Sequence, residues 1–150
     1  MAKSLVWKGK AVTERMRAAQ KLGVNATMSA CVQHAKSNHD WQNRTGVLEG
    51  SLGLAAYAKD VAGGVEGKWG SQDVRYALIH ELGGTIVAKD AKALAIPLPD
   101  GGVAFAKSVT IPARPYLRPA ADVHYASLPS NIRKAYAKLG SGQGGGDARS

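Results

Sequence analysis

Cysteine is nearly missing from this chain: Cys31 stands alone, which excludes an intramolecular disulfide framework and a cysteine-rich metal site. Phenylalanine is equally scarce, with one residue in 150, and aromatic residues make up 6% of the chain, too few and too scattered for a base-stacking set. Long apolar runs are missing too. The longest uncharged run, Leu22 to Ala35, contains Asn25, Gln33 and His34 and falls short of the roughly 20 apolar residues needed to span a bilayer. No apolar signal core follows Met1-Ala2-Lys3-Ser4, so synthesis in the cytoplasm is expected, with no membrane partner. Acidic residues are in deficit, 11 against 20 basic, leaving a net charge of +9.

What is present fits one folded domain. At 45% hydrophobic and 21% charged, the 150 residues suffice to bury a core, and the expected domain covers residues 1–139. Residues 140–150 form a glycine-rich tail with no apolar surface to bury, expected to be flexible. The excess charge sits at the two ends: +5 over residues 1–21, zero over 22–113 and +4 over 114–150. A neutral middle between basic ends directs the termini towards something negative, and Lys3, Lys8, Lys10, Arg15 and Arg17 are the candidate DNA-facing residues. The competing reading is a solvated helix face.

The periodicities give an α+β fold. Residues 9–36 read as a long N-terminal helix, with Val12, Met16, Ala19, Gly23, Ala26 and Ala30 recurring at three- and four-residue steps. That stripe is made mostly of small residues, which lets another backbone approach closely. Residues 37–46 are polar and turn-like, with Trp41 as their one large apolar group. Leu52, Leu54, Ala56 and Ala58 alternate as in a half-buried strand, Gly63-Gly64 turns the chain, and residues 65–70 return. A short central helix is expected over 73–82, with Asp73 as N-cap and Gly83-Gly84 as a left-handed stop. Strands near 93–98 and 103–110 flank Pro99-Asp100-Gly101-Gly102, whose turn chemistry marks a β-hairpin in a small antiparallel sheet. Residues 120–139 read as a C-terminal helix interrupted or restarted at Pro129.

Catalytic constellations are not found. His80-Glu81 begins a zinc-protease-like helix pattern, but the position of its second histidine is held by Gly84. No nucleophile sits in a glycine-flanked elbow, and the glycine pairs lack the lysine and context of a phosphate loop. Cys31, within the first helix, reads as a small buried side chain. No enzyme, no cofactor, no metal and no small-molecule substrate are expected.

The segment Ile111-Pro112-Ala113-Arg114-Pro115-Tyr116-Leu117-Arg118-Pro119-Ala120 stands out. Its three prolines fix φ and remove donors, which reads as a rigid extended arm suited to docking on a surface, or as a stiff connector between a strand and a helix. Glu81 falls in the last turn of the central helix, where the dipole disfavours an anion. Arg114 is the cation expected to meet it, within one chain or across a subunit boundary, the alternative being a solvated carboxylate.

Three pieces carry a resemblance. Asn43-Arg44-Thr45-Gly46-Val47-Leu48-Glu49-Gly50-Ser51-Leu52, then Tyr76-Ala77-Leu78-Ile79-His80-Glu81-Leu82-Gly83-Gly84-Thr85, then Ile111 to Ala120, in this order, resemble the tailed-phage virion morphogenesis and tail-completion family. Those proteins share a "TG-x-L-x-x-S" lead-in to the first strand, a "YA-x-x-x-E/Q-x-G" helix end and an "IPARPFL" arm. Tyr116 here replaces the usual phenylalanine, and Leu82 stands where an aromatic is common. The resemblance implies a small structural neck protein that assembles as a ring, expected to be hexameric, between head connector and tail tube. Its partners would be copies of itself, the head connector or stopper, and the tail tube or terminator, with DNA passing through without base-specific contact. It would assemble in the host cytoplasm and end in the virion, at the neck; a tail terminator ring or a non-specific nucleic-acid-binding module are the alternatives. On this reading Arg114, Pro115, Tyr116, Leu117 and Arg118, with Glu81, Thr45 and Gly46, form the subunit or partner interface. Tyr116 would supply most of the buried area there, so that Tyr116→Ala would weaken the ring while leaving the monomer folded.

Overall fold

A computed structural model describes residues 2–39, 46–74 and 76–141. The expected turn around Trp41, Thr45 of the proposed interface, and most of the glycine-rich tail lie outside the described residues; Gly140 and Ser141 still belong to the last helix.

The fold is α+β and is organised around one long helix, α1 (Gly9–Ser37). A short helix, α2 (Val47–Ser51), leads into β1 (Leu52–Val61), which pairs antiparallel with β2 (Gly64–Ser71). The turn is Ala62-Gly63, with Gly63 at φ 80°, so Gly64 already pairs with Val61. Next come α3 (Ala77–Leu82), β3 (Gly84–Val87), β4 (Leu94–Pro97), β5 (Val103–Ala106) and β6 (Ser108–Ile111). The chain ends with α4 (Leu117–His124), a 3-10 turn over Tyr125–Ser127, and α5 (Leu128–Ser141).

The small-residue stripe does what its composition requires, on a slightly rotated face. Ala19, Gly23, Thr27, Cys31 and Ala35 recur every fourth position and are buried, with Met28 beside them, while Val12, Met16 and Ala26 are exposed. At Gly23 a Cβ would lie 2.5 Å from Ile132 Cγ1 and 2.9 Å from the Ile132 backbone, so the missing side chain is what lets α5 close on α1. Thr27 Oγ1 accepts from Asn131 Nδ2 at 2.9 Å across the same contact and donates to Gly23 O at 2.8 Å. The β1–β2 ribbon lies on α1 as well. Its register shifts between Ala56 and Lys59 free the Ala58 N–H, which Asn25 Oδ1 accepts at 2.8 Å.

Three expectations for the second half are corrected. Asp73 is not an N-cap: it adopts φ 57°, a conformation its short polar side chain tolerates, and the helix begins later, behind Tyr76. The C-terminal helix breaks at Tyr125–Ser127, ahead of Pro129, which sits in the first turn of α5 where a missing N–H costs nothing. The proline arm is shorter than its sequence implies, because Leu117 to Ala120 are already the first turn of α4 and only residues 112–116 lie outside strand and helix.

The hairpin is longer than expected. β3 pairs with β6 from Gly84↔Ile111 to Val87↔Ser108, and β4 pairs with β5 from Leu94↔Ala106 to Pro97↔Val103. The two ladders are separate two-stranded sheets that follow one another along the same arm-like pair of chain segments, with residues 88–93 on one side and Lys107 on the other between them. Leu98 N donates to Gly102 O at 2.7 Å, Asp100 Oδ1 accepts from Gly102 N at 2.9 Å, and Gly101 takes φ 86°, which closes the tip. The main contacts of these four strands are with each other, not with the body.

Candidate interaction site

The three resembling pieces meet in space, and they meet inside the fold. Leu48 and Leu52 from the first, Ala77 from the second, and Tyr116 and Ala120 from the third form one buried cluster with Cys31 and Ala35 of α1. Trp69, Val74 and Leu117 pack against its rim. These three pieces therefore build the core.

Tyr116 is the clearest correction. It was expected to dock on a neighbour, yet it is 1% exposed and is one of the two largest fully buried side chains. Its hydroxyl donates to Ala77 O at 3.4 Å. Burial first, and the Glu81 carboxylate second, push that hydroxyl's pKa above 10, partly offset by a hydrogen bond with Ser71. A bulky apolar residue in a proline-flanked segment suggests a protruding arm, whereas the Tyr116 ring is enclosed and its backbone N–H is held by Glu81.

Glu81 finds its positive partner in a helix end. Oε2 accepts from the backbone N–H of Tyr116 at 2.7 Å and of Leu117 at 3.0 Å, and Oε1 accepts from Arg118 N at 3.0 Å. These are orphan donors of the first turn of α4, whose own N-cap supplies no side-chain hydrogen bond. A carboxylate against three N–H groups at the positive end of a helix is a favourable electrostatic site, so the unfavourable place of Glu81 at the end of α3 is offset by α4. No ion pair joins it to Arg114. Arg114 acts through its backbone, donating to His80 O at 2.7 Å. Burial chiefly, and the Arg114 guanidinium beside it, lower the pKa of His80 below its ordinary 6.5.

This clasp fixes the roots of the arm. Gly83, at φ 69°, turns the chain out of α3, and a Cβ there would lie 2.6 Å from Ala113 N. Gly84 then pairs with Ile111, so both roots leave the body side by side, next to the clasp. Of the residues assigned to an interface, Arg114, Pro115 and Arg118 are exposed beside these roots, Leu117 is half-buried, and Gly46, at φ 69°, precedes α2. Sequence reasoning missed the exposed apolar residues of the arm itself, Ile86, Val87, Val103 and Phe105, although the unbroken apolar run Val103-Ala104-Phe105-Ala106 was the available signal.

The basic residues divide. Lys3, Lys8 and Lys10 are exposed. Arg15 and Arg17 are engaged instead: the Arg15 guanidinium lies 3.7 Å above the Tyr136 ring and its Nε donates to Tyr136 O at 3.0 Å, while Arg17 pairs with Asp60 at 3.7 Å. Both hold α1 to its neighbours, whereas the pair that Lys10 makes with Glu14, at 4.0 Å, lies within α1. Cys31, fully buried with Sγ 3.7 Å from Ala120 O, has its pKa raised by burial. His34 and His124 meet edge-on, Nδ1 to Nε2 at 3.2 Å, and tie α1 to α4. Among the described residues no group of three or more histidine, cysteine, aspartate or glutamate side chains is placed to hold a metal, and no helix is long and apolar enough to cross a membrane. No protein-family model, curated protein or solved structure matches the chain.

Proposed function

We propose that this chain is a structural subunit of the tailed-phage neck, completing the tail and joining it to the DNA-filled head as part of a ring that DNA traverses. The observation that carries the proposal is the clasped arm. The second and third resembling pieces are joined by Glu81, and what they hold is a two-stranded projection that contacts little of its own body. A projection of that kind serves assembly rather than chemistry, since two strands alone are marginally stable in water. The order of the three sequence pieces supports a neck layer, and the exposed Lys3, Lys8 and Lys10 suit a passage for DNA without base readout. No catalytic or cofactor role is assigned.

The test is electron microscopy of lysates from the parent phage lacking this gene. DNA-filled heads beside separate tails of normal length are the expected result. Tails of abnormal length would move the protein to the terminator ring. Normal infectious particles would refute the neck role.

A further inference from the structure

Two histidines meet where two helices end. His34 stands in the last turn of α1, and His124, 90 positions later, is the final residue of α4. His34 Nδ1 and His124 Nε2 are 3.2 Å apart, the ring centroids are 5.1 Å apart, and the ring planes cross at 78°. Both rings are half-buried and open on a cleft of about 230 Å³, lined also by Ala30, Gln33, Ser37 and Asn38. As a neutral pair they share one proton between two facing nitrogens, one ring donating and the other accepting.

From this placement we infer that His34 and His124 are the two protein ligands of a divalent transition metal (zinc, nickel or copper) that clips α1 to α4. The inference is independent of the neck role, and the spacing of the rings carries it. Two imidazole nitrogens on one tetrahedral zinc, each at roughly 2.0–2.1 Å, stand about 3.3 Å from each other with their ring centroids about 5.2 Å apart. The observed pair lies within a small fraction of an ångström of both separations. A metal can therefore take the place of the shared proton with little movement of either helix. Whichever ring donates in the free pair needs only to carry its proton on its other nitrogen, so that both facing nitrogens offer lone pairs.

The local field favours a cation. α1 and α4 both bring their C-terminal, negative ends to the pair. None of the other four residues lining the cleft is charged. Lys36, two positions past His34, projects from the far side of α1 at about 100° per residue. Imidazole selects borderline transition metals, whereas magnesium and calcium need cages of oxygen. Among the described residues no third histidine, cysteine or carboxylate joins the pair, so water completes the coordination shell. Gln33, Ser37 and Asn38 carry polar side chains that can hold such water. With two protein ligands the site is a brace: Glu81 holds the first turn of α4, and the metal holds its last.

The test uses the untagged full chain, titrated with zinc chloride by calorimetry and followed by thermal melting. One zinc should bind per chain; nickel should bind as well, and magnesium should not. At about 100 times the dissociation constant, the melting midpoint should rise by about 5–10 °C. His34→Gln and His124→Gln should each weaken zinc binding at least about 10-fold while circular dichroism stays that of the unaltered protein. Both variants keep His39, His80 and Cys31, so unchanged affinity in either would put the metal elsewhere and overturn the inference. Absence of zinc binding by the unaltered chain up to about 1 mM would overturn it too, leaving the pair a hydrogen bond only. Should a variant lose its fold, nuclear magnetic resonance of the unaltered chain decides. Added nickel should broaden the ring signals of His34 and His124 before those of His39 and His80, and the reverse order sinks the inference.

Discussion

Replacing Tyr116 with alanine would remove the largest fully buried side chain among the described residues, from a cluster built by four separate stretches of chain. A loss of about 3–5 kcal/mol is expected, against about 1 kcal/mol for Tyr116→Phe, which keeps the ring and gives up the hydroxyl's hydrogen bonds to Ala77 O and Ser71. Chemical denaturation of both variants checks this; a folded, undiminished Tyr116→Ala protein would return the residue to the surface role its sequence context implied. Glu81 was half legible in the same way. An anion at the end of a helix signals a positive partner, but Arg114, the cation chosen for its place in the proline-rich segment, was the wrong one. The partner is a set of backbone N–H groups 35 residues or more away, and such a cap leaves no serine, threonine or aspartate at Tyr116 to betray it. Arg15 and Arg17 show a similar limit: composition gives their charge, and only packing shows that the charge is already engaged.

At the level of elements, α1, the β1–β2 ribbon and the tip turn were readable because each is set by local periodicity or turn chemistry. β3 was not, since Gly84 to Val87 form a strand only by pairing with residues 108–111. The start of α3 and the break before α5 were misplaced where tertiary contacts override the local cap and proline signals. The small-residue stripe allows a prediction whose sign depends on packing. In an isolated helix Gly23→Ala would stabilise by about 1 kcal/mol. Here the new methyl group meets Ile132 side chain and backbone, so α5 must move, and a net loss of about 1–3 kcal/mol is expected. Thermal melting decides; a rise in midpoint would mean that the two helices sit farther apart than described.

For the whole molecule, net charge and its distribution were readable directly, but not its shape. A +9 protein whose only exposed candidate cations near the N-terminus are Lys3, Lys8 and Lys10 should bind duplex DNA weakly and without sequence preference. Changing these three lysines to serine should weaken binding to all sequences alike and flatten the salt dependence by up to about three units of slope, read by fluorescence anisotropy at several salt concentrations. An unchanged slope would show that DNA meets another face. Arg15→Ser, by contrast, should register in stability, because its guanidinium covers Tyr136.

The contact of α1 with α5 also sets an order of events. Arg15 and Tyr136 are 121 positions apart, and Thr27 and Asn131 are 104 apart. Such distant pairings form late, because the intervening chain must first be gathered up. During synthesis α1 emerges early and waits for its last neighbour, with the Ala19, Gly23 and Thr27 stripe still uncovered. Translation halted before residue 128 would leave Gly23 and Thr27 bare, so the arrival of α5, rather than formation of α1 itself, is the step that commits the helix pair to its final form.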